Sequence, residues 1–312
     1  MVVYDVLIIG AGPAGLTAGL YAGRARLKTL IVEQAAAGGQ VLLTETIENF
    51  PGVADLKSFQ WADDLRRQVT ALSDVVLKEE ATASRIEKKG AGFVVTFDAA
   101  GKQTAQECRA VIVATGAVPK RLDIPGEKEL TGKGVSYCAT CDGPLYRNKE
   151  VVVVGGGNSA LEEALFLARF ASRVTLVHRR TAFRAVAVLE ERVRAEKKIV
   201  LRLGAAPEAV EGEGRVQGLR IKDAGTGEQE VLACAGVFVF VGSVPQTGLL
   251  EGLAQSGDYG TVRTDETMAT STPGLFACGD CRHRPLYQIV TACAEGAIAA
   301  HAAGRYLESP GS

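Results

Sequence analysis

The chain opens with Val6-Leu7-Ile8-Ile9-Gly10-Ala11-Gly12-Pro13-Ala14-Gly15, and the pattern returns as Val151-Val152-Val153-Val154-Gly155-Gly156-Gly157-Asn158-Ser159-Ala160. Each stretch joins an apolar run of strand character to a G-x-G-x-x-G/A turn and a helical segment, the arrangement that binds dinucleotides. The turn glycines let the backbone approach a pyrophosphate, whose charge meets the free N–H groups of the helix N-terminus. The sequence therefore predicts two nucleotide sites in one chain.

The two predicted sites differ at the residue that reads the ribose. Glu33 and His178 each lie 23 positions after the first glycine of their motif, at the end of a second predicted strand. A carboxylate there accepts a hydrogen bond from a free 2′-hydroxyl and repels a 2′-phosphate, so Glu33 suits FAD or NAD. His178 is instead followed by Arg179, Arg180 and Arg184. Guanidinium groups bind phosphate well, so we predict that this site prefers NADPH. The alternative interpretation is that these arginines form only a solvated charged surface.

Composition and charge exclude several classes of protein. A chain of 312 residues has room for about two domains, and a formal net charge of −1 gives no broad footprint for nucleic acid or a membrane surface. No secretory n-region precedes the first strand, and residues 6–25, the most membrane-like stretch, contain Pro13 and five glycines. We expect the ridge of Gly15, Gly19 and Gly23 to pack against a sheet. The protein is therefore expected to be soluble and cytoplasmic.

Both units also end alike, which indicates a duplicated fold. Two predicted strands, 110–114 and 237–241, are each followed by a Gly-x-Val-Pro turn that starts at Gly116 and Gly242. The tail is too short for a third nucleotide domain, so we expect it to return to the first unit through a two-strand connection able to act as a hinge. The predicted α/β fold has two Rossmann-like dinucleotide-binding domains, a discontinuous one of 1–117 and 246–312 and an inserted one of 118–245.

Two C-x-x-C pairs occur among the seven cysteines. Cys138 and Cys141 stand in Cys-Ala-Thr-Cys-Asp-Gly, and in a chain without an export signal this spacing is typical of a redox dithiol. A helix N-terminus there could lower the pKa of a thiolate, and Asp142 is placed to carry the proton. A zinc site completed by Cys278 and Cys281 is the alternative. Zinc ribbons place their pairs within about 20 residues, so we predict no metal.

With these motifs the chain resembles the low-molecular-weight, bacterial-type thioredoxin reductases. The likeness covers nearly the whole chain and includes His178-Arg179-Arg180-x-x-Phe183-Arg184-Ala185. It implies that Cys141 faces a flavin, that Cys138 exchanges with thioredoxin, that Asp142 is the acid/base, and that the protein is a cytoplasmic homodimer. The resemblance implies cofactor contacts for FAD from Gly10, Gly12, Gly15, Glu33, Gln40, Asn49, Asp280 and Gln288, and for NADPH from Gly155, Gly157, Ser159, Ala160, Arg179, Arg180 and Arg184.

The chemistry of these groups supports the same electron path. A two-electron hydride from NADPH must reach a dithiol, and a flavin is the usual intermediary. The electrons would reach Cys141 first, and Cys138 would leave as the thiolate that exchanges. In the family the inserted domain rotates so that dithiol and nicotinamide can use one flavin. We therefore expect an FAD-dependent NADPH:thioredoxin-disulfide oxidoreductase.

The chain departs from the family pattern in four places. Pro144-Leu145 replaces two aromatics that help to dock thioredoxin, and Leu286-Tyr287-Gln288 replaces Tyr-Arg-Gln beside the flavin. Cys281 and Cys293 replace an aliphatic and a small residue. For these two and Cys278 we predict inert packing, which is also the default for Cys108 and Cys234, since both lie in or beside apolar segments.

Three other functions stay open on sequence. One is the reductase of a peroxide-reducing, peroxiredoxin-type system, which shares this core but carries an extra N-terminal dithiol region. Another is a ferredoxin- or flavodoxin-linked NADP reductase, against which the Cys138/Cys141 pair argues. The last is a non-catalytic NADPH-binding redox sensor, with or without flavin.

Overall fold

The computed structural model describes residues 3–43, 46–47, 49–53 and 56–309. Its strands are, in chain order, β1 (Tyr4–Ile9), β2 (Thr29–Val32), β3 (Thr46–Ile47), β4 (Leu56–Lys57), β5 (Val75–Lys78), β6 (Ala81–Lys89), β7 (Gly92–Ala99), β8 (Lys102–Val113), β9 (Ala117–Pro119), β10 (Val135–Ser136), β11 (Glu150–Gly155), β12 (Arg173–His178), β13 (Ile199–Leu203), β14 (Ala205–Glu211), β15 (Gly218–Asp223), β16 (Gln229–Ala233), β17 (Gly236–Phe240), β18 (Ser243–Pro245) and β19 (Leu275–Ala277). The α-helices are α1 (Pro13–Arg24), α2 (Ser58–Thr70), α3 (Ala139–Asp142), α4 (Asn158–Leu167), α5 (Ala187–Ala195) and α6 (Ile289–Glu308).

The chain divides into two compact units. The first comprises Met1–Leu42, Phe50–Val118 and Val244–Ser312, and the second comprises Leu43–Asn49 and Pro119–Ser243. β9 and β18 pair with each other and span the two points at which the long segments pass from one unit to the other.

The first unit is built on a parallel sheet with an antiparallel extension. β1 lies between β2 and β8, β2 pairs with β5, and β19 pairs with the last residues of β8, all in parallel. The parallel strands therefore run in the order β5-β2-β1-β8-β19. The first half of β8 continues instead into an antiparallel ladder with β7 and β6.

The second unit repeats this architecture. Its parallel sheet has the order β13-β12-β11-β17-β10, and a separate antiparallel sheet is formed by β14, β15 and β16. In both sheets the strand that leads into the glycine motif is central, as it is in doubly wound dinucleotide-binding folds. The predicted duplication is confirmed. The fifth strand of the second unit, β10, precedes the glycine motif in the chain, whereas β19 follows it at the far end.

The core of each unit lies on both faces of its sheet because successive strand residues point to opposite sides. In β1, Val6 and Ile8 pack in the cluster that contains α1 and α6, while Leu7 and Ile9 pack against β6–β8. The same alternation divides β11 between the α4 side and the β14–β15 side. The continuous apolar runs of the sequence are therefore strands that are buried on both faces.

The glycine ridge of α1 packs against the sheet, as predicted. A Cβ at Gly19 would lie 2.4 Å from Ile31 Cδ1, and one at Gly23 would lie 2.4 Å from Val75 Cγ2. Small residues are needed here because the helix approaches β2 and β5 closely. Within the described ranges, none of the helices combines the length and the apolar character needed to cross a bilayer.

Candidate functional site

The first glycine motif forms a compact turn with one open side. Gly10 has φ +101°, and a Cβ on it would lie 2.4 Å from the carbonyl oxygen of Ala114. A Cβ on Gly15 would lie 1.8 Å from Gly10 O, so neither position admits a side chain. At Gly12 the nearest neighbour of such a Cβ is Gly39 Cα, at 3.9 Å. Gly12 is therefore the position at which a ligand can approach the backbone, directly before the first turn of α1.

Glu33 lies beneath this turn at the end of β2. It is buried; its Oε2 accepts a hydrogen bond from Ala11 N at 2.6 Å and its Oε1 accepts one from Ala35 N at 3.0 Å. Each carboxylate oxygen can accept a second hydrogen bond, so these contacts orient the side chain and leave capacity for a ribose hydroxyl.

The other residues predicted to bind FAD divide between the two units. Gln40 and Asp280 come together in the first unit, where Gln40 Nε2 donates to Ala117 O at 2.7 Å and lies 3.5 Å from Asp280 Oδ2. Gln288 is the N-cap of α6 and forms a capping box with Thr291. Asn49 belongs to the segment that groups with the second unit, so the first unit does not include it.

The second glycine motif repeats the compact turn with one substitution. Gly155 has φ +156°, and a Cβ there would lie 2.4 Å from Phe240 O. Gly157 has nothing within 4 Å of its would-be Cβ, which makes it the open position equivalent to Gly12. Ala160 takes the place of Gly15 and is buried, whereas Ser159 is exposed at the start of α4.

His178 occupies the position equivalent to Glu33, and its ring packs against Gly156. A Cβ on Gly156 would lie only 2.3 Å from the Nδ1 and Cε1 atoms of His178. It stacks on Phe183 with ring centroids 5.8 Å apart, and Arg184 N donates to Gly156 O at 2.8 Å. Burial, followed by the nearby arginines, lowers the pKa of His178, although a backbone contact with Ala182 opposes the shift. The surroundings of the imidazole therefore favour its neutral form.

The three predicted arginines line one cleft of about 660 Å³. Arg179, Arg180 and Arg184 are exposed, and none of them pairs with a carboxylate in the part of the chain that the structure describes. Unpaired guanidinium groups around one cleft attract an anion strongly.

The Cys138/Cys141 pair forms a disulfide at the start of α3, with its Cα atoms 5.3 Å apart. Cys138 is the N-cap of α3, and its Sγ accepts the N–H of Cys141 at 3.2 Å. Asp142 follows directly, is buried, and donates its own N–H to Cys138 O at 3.2 Å. A thiolate on Cys138 would keep the N–H of Cys141, and a hydrogen bond to an ionised group is stronger than one to a neutral group.

The residues that hold this dithiol in place could hardly be predicted from the sequence. Ser136 Oγ accepts the N–H of Cys138 at 3.1 Å and donates to its carbonyl at 3.2 Å. Tyr137 donates from its hydroxyl to Glu127 Oε1 at 2.9 Å, and Glu127 is only 2% exposed. Burial and this contact with Glu127 raise the pKa of Tyr137 to about 12. The one available signal was an acidic residue in a glycine-rich loop, and that alone does not predict burial.

The remaining cysteines are free thiols in apolar surroundings. Cys278 packs on the α1–α6 face of the sheet and Cys281 on the β6–β8 face, so the second C-x-x-C pair is divided between two clusters. Burial raises the pKa of Cys281 to about 11 and that of Cys278 well above its usual value. It likewise raises the pKa of Cys108 and Cys234 to about 12. These surroundings agree with inert packing.

Cys293 is the most accessible of the free thiols. It is partly buried on α6, with its Sγ 3.9 Å from Pro13 O, and burial raises its pKa as well. Among the described residues, no three His, Cys, Asp or Glu side chains gather as a metal site would require.

Comparison with known proteins identifies the family. Residues 4–296 match the family model described as pyridine nucleotide-disulphide oxidoreductase. The chain is 46% identical over 307 residues to the thioredoxin reductase of Treponema pallidum, with 98% of each chain covered. It is 40% identical over 314 residues to the thioredoxin reductase of Bacillus subtilis, with 98% of this chain and 95% of that protein covered.

A solved structure supports the same relationship. The crystal structure of thioredoxin reductase from Streptococcus pyogenes superposes with a TM-score of 0.92 at 40% identity, and the match covers 98% of each chain. The similarity therefore extends over both nucleotide-binding units and the dithiol segment.

Proposed function

The chain belongs to the pyridine nucleotide-disulphide oxidoreductase family, among the thioredoxin reductases, and we propose that it uses NADPH and FAD to reduce thioredoxin through Cys138 and Cys141. The observation that carries this proposal is the dithiol of α3, a disulfide in the same unit as a cleft lined by three arginines that form no ion pair with any described carboxylate. One group accepts electrons and the other binds a phosphorylated nucleotide.

The first unit fits FAD as its cofactor. The space before Gly12, which a Cβ would fill, lies at the N-terminus of α1, where a pyrophosphate is favoured. We assign phosphate contacts to Gly10, Gly12 and Gly15 and the ribose contact to Glu33. Further contacts come from Gln40, Asn49, Asp280 and Gln288. When bound, FAD accepts two electrons from NADPH and makes them available to a disulfide.

The second unit fits NADPH as the electron donor. Gly155, Gly157, Ser159 and Ala160 form the turn that takes the pyrophosphate, with Gly157 at the open position. Arg179, Arg180 and Arg184 take the 2′-phosphate, which NADH lacks, so their contribution falls on NADPH alone.

The dithiol then transfers the electron pair to the partner protein. When the disulfide is reduced, Cys138 is released as a thiolate that the N–H of Cys141 stabilises. The Cys138 thiolate attacks the disulfide of thioredoxin and forms a mixed disulfide, displacing one thioredoxin thiolate. Cys141 next attacks the Cys138 sulfur, which releases the second thiolate and restores the Cys138–Cys141 disulfide. Asp142 is our candidate for the group that exchanges protons with these sulfurs.

Our proposal for the cellular setting follows the family. The protein acts as a homodimer in the cytoplasm, with thioredoxin as its macromolecular partner and neither nucleic acid nor membrane as a ligand. The near-neutral net charge of −1 is consistent with this.

A substrate panel tests the proposed function. The purified protein, loaded with FAD, is assayed for NADPH-dependent reduction of thioredoxins, a peroxiredoxin-type protein disulfide and small disulfides. Fast turnover with a thioredoxin supports the proposal. Turnover with the peroxiredoxin-type substrate alone would mean that this protein, and not thioredoxin, is the partner. A colourless protein that takes up no FAD and reduces no substrate would indicate an NADPH-binding sensor.

A further inference from the structure

A network of buried charges lies behind the turn that carries Asp280. The Arg284 side chain is 3% exposed and forms ion pairs with Asp280 and with Glu295, the latter at 3.2 Å. Glu295 is 10% exposed and also pairs with Arg282, at 2.6 Å. Buried ions are strongly disfavoured unless they are paired and hydrogen-bonded. Arg284 and Glu295 are buried, whereas Asp280 and Arg282 are partly exposed, so a buried arginine here is paired with one buried and one partly exposed carboxylate. Such an arrangement indicates a specific role.

Glu295 connects the Asp280 turn to the glycine motif of the same unit. Its Oε2 accepts the N–H of Gly279 at 2.8 Å, and Gly279 has φ +79°, a left-handed conformation that favours glycine. The next residue of α6, Gly296, meets α1 so closely that a Cβ on it would lie 2.1 Å from Ala14 O. Glu295 and Gly296 thus fix the position of the Asp280 turn relative to the start of α1.

The two carboxylate oxygens of Asp280 have different surroundings. Oδ1 accepts from Arg284 Nη2, whereas Oδ2 lies 3.5 Å from Gln40 Nε2, at the limit of a hydrogen bond. Gln40 Nε2 is better satisfied by Ala117 O, at 2.7 Å. One oxygen of Asp280 is therefore held by Arg284, and the other is open to a stronger donor.

The charge on Asp280 depends on the same partner. Burial raises the pKa of Asp280, Arg284 is the next largest influence and lowers it, and Glu295 raises it. The guanidinium of Arg284 is held on its other side by the ring of Tyr287, 5.2 Å away. Its Nε and Nη1 have no hydrogen-bond partner in the described ranges, so the contact of Nη1 with Glu295 is an ion pair without a hydrogen bond. Arg284 is thus fixed by two carboxylates and an aromatic face.

We propose that Arg284 is a positioning residue of the FAD site, which holds one oxygen of Asp280 so that the other is presented to a hydroxyl of the cofactor. The inference rests on the proposed FAD site in the first unit. Arg282 offers a matched control because it shares Glu295 and, within the described part of the chain, forms an ion pair with no other carboxylate.

The test measures FAD affinity instead of turnover. The full-length chain is stripped of flavin, and FAD is titrated back while its fluorescence quenching is followed. Arg284→Met should weaken binding by about 10- to 150-fold, the equivalent of one hydrogen bond to a charged group. Arg284→Lys, which keeps the charge, should recover much of this loss, and Arg282→Met should bind FAD within a few-fold of the unchanged protein.

A pH series separates positioning from a general loss of stability. Without Arg284 the pKa of Asp280 rises, so the carboxyl group protonates at a higher pH and FAD affinity is lost earlier as the pH falls. Arg284→Met should show this displaced profile and Arg282→Met should not. Parallel profiles, or equal losses in the two variants, would overturn the proposal.

A double variant tests whether Arg284 acts through Asp280. Asp280→Asn combined with Arg284→Met should bind FAD no more weakly than Asp280→Asn alone, whereas multiplied losses would contradict the inference. Urea unfolding checks each protein, and if Arg284→Met does not fold, Arg284→Gln replaces it throughout. An unchanged protein that binds no FAD refutes the proposed cofactor. Normal FAD binding that is indifferent to Arg284 refutes only this inference.

Discussion

The two units of this chain use one fold to build unlike nucleotide sites. In the first, the residue at the end of the second strand is Glu33, whose carboxylate reaches under the turn to Ala11 N at 2.6 Å. In the second it is His178, whose ring packs against Gly156 and leaves no room for a side chain there. We propose that this residue decides whether the site presents negative charge or leaves the ribose end to the arginines.

The cysteines make the same contrast. Each unit contains a C-x-x-C pair, but Cys138 and Cys141 lie at a helix start with backbone hydrogen bonds, while Cys278 and Cys281 point to opposite faces of a sheet. Spacing alone does not distinguish the pairs. Access and hydrogen-bonding surroundings decide which sulfurs can react.

Loss of either α3 cysteine should have the largest effect on activity. Cys138→Ser and Cys141→Ser should each lower NADPH-dependent thioredoxin reduction by at least about a thousandfold, because the two sulfurs act as a unit. Incubation with thioredoxin should trap a mixed disulfide in Cys141→Ser and none in Cys138→Ser, as read by intact mass. A trapped complex in Cys138→Ser alone would reverse the assigned roles.

Removal of the arginines should abolish the nucleotide preference of the second unit. Each charged hydrogen bond contributes about 1.5–3 kcal/mol, so Arg179→Ala combined with Arg180→Ala should raise the KM for NADPH by at least about 10- to 150-fold. The KM for NADH should change little. Steady-state kinetics with both nucleotides provide the measurement, and Arg192→Ala on α5 provides a control for lost positive charge. Equal efficiency of NADH and NADPH in the unchanged protein would contradict the assignment.

The packing of His178 on Gly156 predicts a paired effect on stability. Gly156→Ala should destabilise the second unit by about 1–3 kcal/mol, the usual cost of overpacking, because its Cβ would collide with the ring. His178→Ala should relieve much of that cost in the double variant. Ala11→Gly, the matching change in the first unit, should cost about 0.5–1 kcal/mol through backbone entropy. Urea unfolding gives the free energy of unfolding of the two single variants, the double variant, Ala11→Gly and the unchanged protein. Additive losses in the double variant would rule out the coupling.

The second cysteine pair should matter least. Cys281→Ala should retain thioredoxin reduction within a few-fold, because Cys281 is fully buried and burial raises its pKa to about 11. Thioredoxin reduction by Cys281→Ala is measured in parallel with that by Cys138→Ser, whose loss of activity serves as the reference. A loss as large as that of Cys138→Ser would mean that a second redox pair had been missed.

Much of the fold could be predicted from local patterns. The apolar runs ending in Gly10 and Gly155 are the central strands β1 and β11, and the shared endings at Gly116 and Gly242 mark the passages between the units. Such features are encoded by neighbouring residues. The grouping of residues 43–49 with the second unit has no comparable local signal.

The candidate site was predictable where function depends on residue type and spacing. The dithiol, the glycine turns and the arginine cluster belong to this kind. The network of Arg284, Asp280 and Glu295 was not found. Arg284 and Asp280 are four residues apart in the same loop, but Glu295 lies on α6 and meets them only in the folded chain. One signal was available: Glu295 is the only charged residue in the run of small and apolar residues 289–300. A lone charge in an apolar helix predicts a buried partner but does not identify it.

The most direct test of the central claim is to map which sulfurs NADPH reduces. The FAD-loaded protein is treated anaerobically with NADPH, alkylated under native conditions, and compared with an untreated sample by peptide mass analysis. We predict that Cys138 and Cys141 gain label with NADPH, whereas the labelling of Cys108, Cys234, Cys278, Cys281 and Cys293 does not depend on it. NADPH-dependent labelling at Cys278 and Cys281, or none at Cys138 and Cys141, would contradict the account.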